Sequence, residues 1–339
     1  MSKKIRVLIV DDSLVFRMLL SKGISADPQI EVVATAKDAF DAREKVFQYK
    51  PDVITCDVQM PKMDGIEFVR RLLPEYPIPV IVVSTISNAV FDAMSAGAVD
   101  FVVKPDFGLP RNVHDFINDM IEKIKIASCA KVVQGKINSS IKLNVEQARY
   151  DSDRIIAIGA STGGPDAISK ILMEMPATSP GIVVVQHIPP LFSAIFAERL
   201  NSTTKLNAKE AQTGDLVEQG KILVAPVGKH MAIKKSGSGY KVECFDGEKV
   251  NGHRPSVDVL FESVAKEAGS KAIGVILTGM GSDGAKGLLT MKNSGAHTIG
   301  QDENTSVVYG MPRVAYEIGA VVEQLPLDKI AASLLECIK

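Results

Sequence analysis

The 339-residue chain has only four cysteines, Cys56, Cys129, Cys244 and Cys337, and no two of them form a C-x-x-C pair. That spacing argues against a disulfide framework and a thiolate zinc site, and the thiols are expected to be buried or incidental. Long apolar runs are missing too: none reaches the roughly 18 residues that a membrane span needs. Met1-Ser2-Lys3-Lys4-Ile5 leads straight into a strand pattern without the apolar stretch of a secretory leader, so a cytoplasmic location without membrane insertion is expected. Neither sign of charge is in excess, with Lys+Arg 39 against Asp+Glu 40 and a net charge of -1. No whole-chain field therefore favours nucleic acid or an acidic membrane. Internal repeats, low-complexity tracts and heptad seams are absent, and a monomer is the expected state. What remains is an ordinary globular composition, 46% hydrophobic and 23% charged, in a chain long enough for about two domains.

Short apolar runs at 5–10, 52–56, 80–83 and 101–103 alternate with helical patterns up to about Lys123. Continuous apolar strands separated by helices predict a parallel sheet covered on both faces, with ligands beyond the carboxyl ends of its strands. From 124 to 153 the pattern weakens into a polar, mildly basic stretch that reads as an interdomain linker. Strand signals resume at 154–159, 181–185, 221–225 and 272–277, and alternation across 231–246, broken by Ser236-Gly237-Ser238-Gly239, predicts an antiparallel hairpin. The expected organisation is thus an α/β domain over 1–123, a linker over 124–153 and a second, doubly wound and mainly parallel α/β domain over 154–339.

Asp11 and Asp12 follow the first strand, Asp57 ends the third, Ser84 the fourth and Lys104 the fifth, just before Pro105. All five converge on one rim. Clustered carboxylates repel one another unless a hard cation sits among them, and Mg²⁺ with oxygen ligands suits this set. Asp57 then acts as a nucleophile toward a phosphoryl group, forming an acyl phosphate whose oxygens Lys104 and the Ser84 hydroxyl bind. A single such aspartate is ordinarily a strand-end or helix-cap residue; three aspartates with Ser84 and Lys104 on one rim are not. The stretches Val10-Asp11-Asp12-Ser13, Asp57-Val58-Gln59-Met60-Pro61-Lys62-Met63-Asp64-Gly65, Val83-Ser84 and Val103-Lys104-Pro105 resemble the receiver domain of two-component response regulators over roughly residues 3–120. The resemblance implies a flavodoxin-like fold of five parallel strands and phosphorylation of Asp57. It also implies that Asp11, Asp12, Asp57 and the Gln59 carbonyl hold Mg²⁺, and that Phe101 responds to the switch with Ser84 and Lys104.

In the second half, Gly159-Ala160-Ser161-Thr162-Gly163-Gly164-Pro165 satisfies G-x-S-x-G between a strand and a helical pattern. Such a turn lifts a serine hydroxyl above a sheet, and it equally cradles a phosphate. His187 lies just beyond another strand, followed by Pro189-Pro190, and Asp283 falls in the glycine-rich stretch 278–284 beyond a third. Ser161, His187 and Asp283 therefore share one rim, with histidine as the base and the carboxylate holding its tautomer. Read alone, His187 is also a candidate core histidine and Asp283 a turn former. The order Ser, His, Asp departs from the Ser, Asp, His order of α/β-hydrolases. Backbone N–H groups at Met280 and Gly281 are candidate oxyanion donors. His114, His230, His253 and His297 do not follow strands so plainly and are expected to be structural.

Residues 159–165, Gln186-His187-Ile188-Pro189-Pro190 with 196–200, Ala225-Pro226 with His230-Met231, 253–258, 277–284 and Gly310-Met311-Pro312 resemble the catalytic domain of the CheB family of chemotaxis protein-glutamate methylesterases. The resemblance implies hydrolysis of glutamate γ-methyl esters on the cytoplasmic helices of methyl-accepting chemoreceptors, releasing methanol, and deamidation of receptor glutamines. Both reactions pass through a glutamyl-enzyme on Ser161, and a chemotaxis histidine kinase is the implied phosphodonor. Mg²⁺ serves phosphorylation only. Unphosphorylated, the first domain is expected to shield the hydrolase rim. Three rivals make other demands. A transcription factor needs a small basic helix-turn-helix output, which the large second domain is not. A hydrolase for another acyl substrate keeps the triad, and a receptor-binding scaffold dispenses with it.

Overall fold

Buried strands form the centre of both halves of the chain in the computed structural model, which describes residues 3–85, 89–105, 110–132, 151 and 153–339. Two compact units divide it, Met1–Gln134 and Gly135–Lys339.

The N-terminal unit runs β1 (Ile5–Val10), α1 (Leu14–Ile24), β2 (Ile30–Ala36), α2 (Ala39–Tyr49), β3 (Val53–Asp57), α3 (Gly65–Glu75), β4 (Val80–Ser84), α4 (Ala89–Ser95), β5 (Asp100–Val103) and α5 (Pro110–Ala127). The strands lie parallel in the order β2-β1-β3-β4-β5, the flavodoxin-like arrangement expected. β3 and β4 are buried at every position because helices cover both faces. β2 gives no apolar signal of that kind: as an edge strand it is only partly buried along most of its length, so Ile30–Ala36 lacks a continuous apolar run. Ser13, Asp38 and Asp64 accept from backbone N–H groups in the first turns of α1, α2 and α3, which is what starts each helix. Helix α5 continues to Ala127, so helical structure passes residue 123, and most of the expected linker lies outside the described residues.

The C-terminal unit begins with β6 (Ile155–Ala160), α6 (Gly164–Met173), β7 (Gly181–Gln186), α7 (Phe192–Thr203), β8 (Asn207–Glu210), β9 (Leu216–Val217) and β10 (Lys221–Val224). It continues with β11 (His230–Ser236), β12 (Gly239–Phe245), α8 (Val257–Ala268), β13 (Ala272–Ile276), α9 (Ala285–Asn293), β14 (His297–Gln301), α10 (Met311–Glu317), β15 (Glu323–Leu325) and α11 (Leu327–Cys337). Seven strands form one sheet in the order β15-β14-β13-β6-β7-β10-β8, and every pairing in it is parallel. Helices α6, α7 and α11 pack together, as do α8, α9 and α10. Each group covers one face, which leaves β6, β7 and β13 wholly buried. The expected hairpin is β11 and β12, joined by β9 into a small antiparallel sheet whose Met231, Ile233, Tyr240 and Val242 pack into the core beside Leu260, Phe261 and Val264 of α8. The four cysteines are free thiols, with Cys56 buried and Cys129 exposed.

Candidate active site

In both units the chain reverses its winding direction at a central strand, and chemistry-bearing residues sit at that point. In the first, β1 and β3 bring Asp11, Asp12 and Asp57 together so that carboxylate oxygens of all three lie within 4.8 Å of one another. Lys104 Nζ stands 2.6 Å from Asp57 Oδ2 and 3.0 Å from Asp11 Oδ2. Ser84 is buried at the end of β4, and its carbonyl accepts from the Lys104 amide. The Gln59 amide donates to Asp57 Oδ1 and the Ser13 amide to Asp11 Oδ1. Burial first, then the Asp11 charge, raises the Asp57 pKa against the pull of Lys104. Burial works against the Lys104 charge, but Asp57 and Asp11 outweigh it and raise its pKa. Asp11 Oδ2 is buried and meets Lys104 Nζ as an ion pair. Three carboxylates this close, with a single ammonium, Lys104, set against Asp11 and Asp57, fit a hard cation with oxygen ligands. Phe101 is buried in β5 with its ring edge-on to Phe91, 6.2 Å between centroids.

In the second unit Ser161 follows β6, His187 follows β7, and the loop after β13 carries Asp283. Gly163 has φ +77 and turns the chain into α6, the left-handed conformation that glycine adopts without strain. The Ser161 amide donates to the Thr278 carbonyl at 3.0 Å, and Thr278 Oγ1 donates to the Thr162 carbonyl, so the loop from β13 is fastened to the serine turn. Gln186 Nε2 bridges the carbonyls of Ser161 and His187 at 2.8 and 2.9 Å. Gly279 passes so close that a Cβ there would lie 2.6 Å from Ser161 Cβ. Among the described residues, the amides of Met280 and Gly281 have no acceptor, whereas those of Ser161 and Gly279 are engaged.

His187 Nε2 lies 2.9 Å from Asp283 Oδ2. Asp283 is buried and also accepts from Ser256 Oγ, the Val257 and Asp258 amides, and Asn251 Nδ2. Burial alone would raise its pKa, but hydrogen bonds from His187, Asn251 and Ser256 hold it far below the usual carboxylate range. Its ionised form is therefore fixed, and Nδ1 is the His187 nitrogen that it does not engage. That nitrogen is buried without a hydrogen-bond partner.

The family description CheB methylesterase matches residues 156–334, and that of the response regulator receiver domain matches residues 7–109. The protein-glutamate methylesterase/protein-glutamine glutaminase 2 of Syntrophomonas wolfei subsp. wolfei is 54% identical over 336 residues, 99% of this chain and 98% of that protein. The chain belongs to the protein-glutamate methylesterase/protein-glutamine glutaminase family. It is accordingly a hydrolase joined to a response-regulator receiver. The Salmonella typhimurium member of the methylesterase/glutaminase family is 43% identical over 336 residues, covering 98% of this chain and 96% of that protein. The crystal structure of the Thermotoga maritima CheB methylesterase catalytic domain is 40% identical with a TM-score of 0.53, covering 54% of this chain and 97% of that one.

His253, expected to be structural, lies against the site: its ring stacks on that of His187, centroids 3.7 Å apart. It sits in a turn closed by Val250 and His253 rather than after a strand, so strand-end reasoning passed over it. Asn251, Ser256 and Asp258 were missed for the same reason. The stretch 253–258 among the family's motifs was the one signal for His253, Ser256 and Asp258, and Asn251 lies just outside it. His230 bonds the Glu248 carbonyl through Nε2 and accepts from the Ser256 amide at Nδ1. No helix among the described residues is long and apolar enough to cross a membrane.

Proposed function

We propose that the protein removes methyl groups from glutamate γ-methyl esters of chemoreceptors, and deamidates receptor glutamines, through Ser161, His187 and Asp283. The observation carrying this reading is the His187–Asp283 bond at the mouth of a G-x-S-x-G turn, with Asp283 locked as a carboxylate by four further donors. Ser161 Oγ attacks the acyl carbon while His187 takes its proton. The oxyanion that forms is met by the amides of Met280 and Gly281. His187 then returns the proton to the leaving methanol or ammonia, and water taken through the same nitrogen releases glutamate. Ammonia is the poorer leaving group, so glutamine turnover depends more on that proton.

The 1–123 receiver, joined through the 124–153 linker to the 154–339 hydrolase, makes this activity respond to a chemotaxis histidine kinase in the cytoplasm. Asp57 takes the phosphoryl group, and Lys104 and Ser84 bind its oxygens, with Phe101 following the switch. Asp11, Asp12, Asp57 and the Gln59 carbonyl would hold Mg²⁺, which neutralises charge on the incoming group. The test is methanol release from a methyl-esterified chemoreceptor cytoplasmic fragment, with and without a small phosphodonor plus Mg²⁺, alongside Ser161→Ala. Release that rises with the donor and vanishes in Ser161→Ala is expected. Near-normal release by Ser161→Ala would sink the mechanism, and release from generic esters alone would move the substrate elsewhere.

A further inference from the structure

The Ser161, His187 and Asp283 reading leaves one contact unused: the rings of His187 and His253 lie face to face, their planes inclined by only 11°. Proton transfer between serine, histidine and carboxylate does not require a second imidazole. His187, however, is tethered only at Cβ and through Nε2, and its buried Nδ1 has no hydrogen-bond partner. Nδ1 lies farther from the Cβ–Cγ axis than Nε2, so a torsion about that bond displaces Nδ1 more than Nε2, and the single Nε2 bond is a weak brake on it. We propose that His253 is a positioning residue for the hydrolysis, its ring forming a fixed wall that stops this swing and a π face for the imidazolium that His187 becomes. This rests on the triad reading above.

His253 is itself held in place. Its amide and carbonyl exchange hydrogen bonds with Val250 at 2.9 and 3.1 Å. On one side of it Asn251 Nδ2 reaches Asp283 Oδ1 at 2.8 Å and Asp258 Oδ2 at 2.7 Å; on the other, Ser256 Oγ reaches Asp283 Oδ1 at 2.7 Å. One loop thus sets both the carboxylate that holds Nε2 and the ring that holds the plane. A charged wall would oppose protonation of His187. Burial, then the nearby His187 and Lys249 charges, push the His253 pKa down to about 4 against the attraction of Asp283. The ring is therefore neutral at neutral pH, as a face for a cation needs to be.

The experiment uses the full chain, the methyl-esterified receptor fragment, and His253→Phe beside His253→Leu, two side chains of similar bulk with and without a π face. His253→Phe should stay within about twofold of the parent, and His253→Leu should lose about three- to tenfold in kcat with KM unchanged, the scale of one aromatic pair. Wild-type kcat in His253→Leu, equal losses in both variants, or a change confined to KM would each overturn the proposal. Melting temperatures are read alongside, and His253→Gln takes the place of the Leu variant if that one does not fold. Ser161→Ala is run in parallel: if it stays active, the triad reading has failed rather than the stacking.

Discussion

Replacing Asp283 by asparagine keeps the shape of the group and removes its charge, so it isolates the carboxylate's control of the His187 tautomer. Oδ1 accepts from Ser256 Oγ at 2.7 Å, Asn251 Nδ2 at 2.8 Å and the Asp258 amide at 3.2 Å. Oδ2 accepts from the Val257 amide at 2.7 Å and faces His187 Nε2 at 2.9 Å. An amide has one oxygen and one NH₂, so donors must meet a donor at one of these positions. Turning the NH₂ toward the Oδ1 side sets it against three donors; turning it toward the Oδ2 side sets it against two. The second orientation wins, leaving the Val257 N–H unsatisfied at a cost of about 1–3 kcal/mol in stability. His187 must then accept at Nε2 and carry its proton on Nδ1, where it cannot receive the serine proton. Asp283→Asn should therefore lose about a thousand- to ten-thousandfold in kcat, the scale set by a wrong tautomer in a serine protease. Methanol release followed with a melting curve reads both quantities. A folded variant within about tenfold of the parent would refute the tautomer argument.

Asp57→Asn should abolish the rise in methanol release with phosphodonor and leave basal release unchanged; a preserved rise would place the phosphoryl group elsewhere. For scale, a tenfold activation corresponds to about 1.4 kcal/mol between inactive and active states. Gly279→Ala puts a methyl 2.6 Å from Ser161 Cβ and 2.5 Å from Met311 Sδ, so it should lower stability by about 1–3 kcal/mol and reduce kcat. Unchanged melting and rate would show that the loop can move aside. Acidification should destabilise the hydrolase unit as pH falls from 6.5 toward about 4, because unfolded His253 binds a proton that the folded ring refuses. Asp283, depressed in the folded state, adds a further loss below its ordinary value of 3.8. A plot of melting temperature against pH should be flatter over the upper window in His253→Phe; an identical slope would rule His253 out as the group responsible.

How much of this was legible in the sequence depended on burial. The central strands β1, β3, β4, β6, β7, β10 and β13 announce themselves because both faces are covered, which forces unbroken apolar runs. β2, β8 and β15 lie at sheet edges and mix polar with apolar residues, and β14 carries Gly300 and Gln301, so none of the four stands out as such a run. Asp11, Asp57, Ser161 and His187 were found because each closes or follows a legible strand. Asp283 was found because its glycine-rich loop follows one. Asn251, His253 and Ser256 reach the site only through tertiary folding. Their loop belongs to no strand, and its hydrogen bonds to Asp283 join residues 27 and 32 positions apart.

The order Ser, His, Asp follows from this strand arrangement. β6 lies between β7 and β13, so Ser161 emerges centrally while its two partners come from the flanking strands. Strands two places apart are separated by about 10 Å, and β6 with Ser161 lies between β13 and β7. The chain closes that gap with the loop beyond Ile276. Leu277 donates to the Gly159 carbonyl, Thr278 accepts from Ser161, and Gly279 packs against Ser161 Cβ, so the loop crosses over the serine before delivering Asp283. Met280 and Gly281 follow directly on Gly279, which lies against Ser161. On the proposed mechanism the oxyanion donors and the triad carboxylate are then parts of one segment, and a substitution that lifts this loop off Ser161 should impair both together.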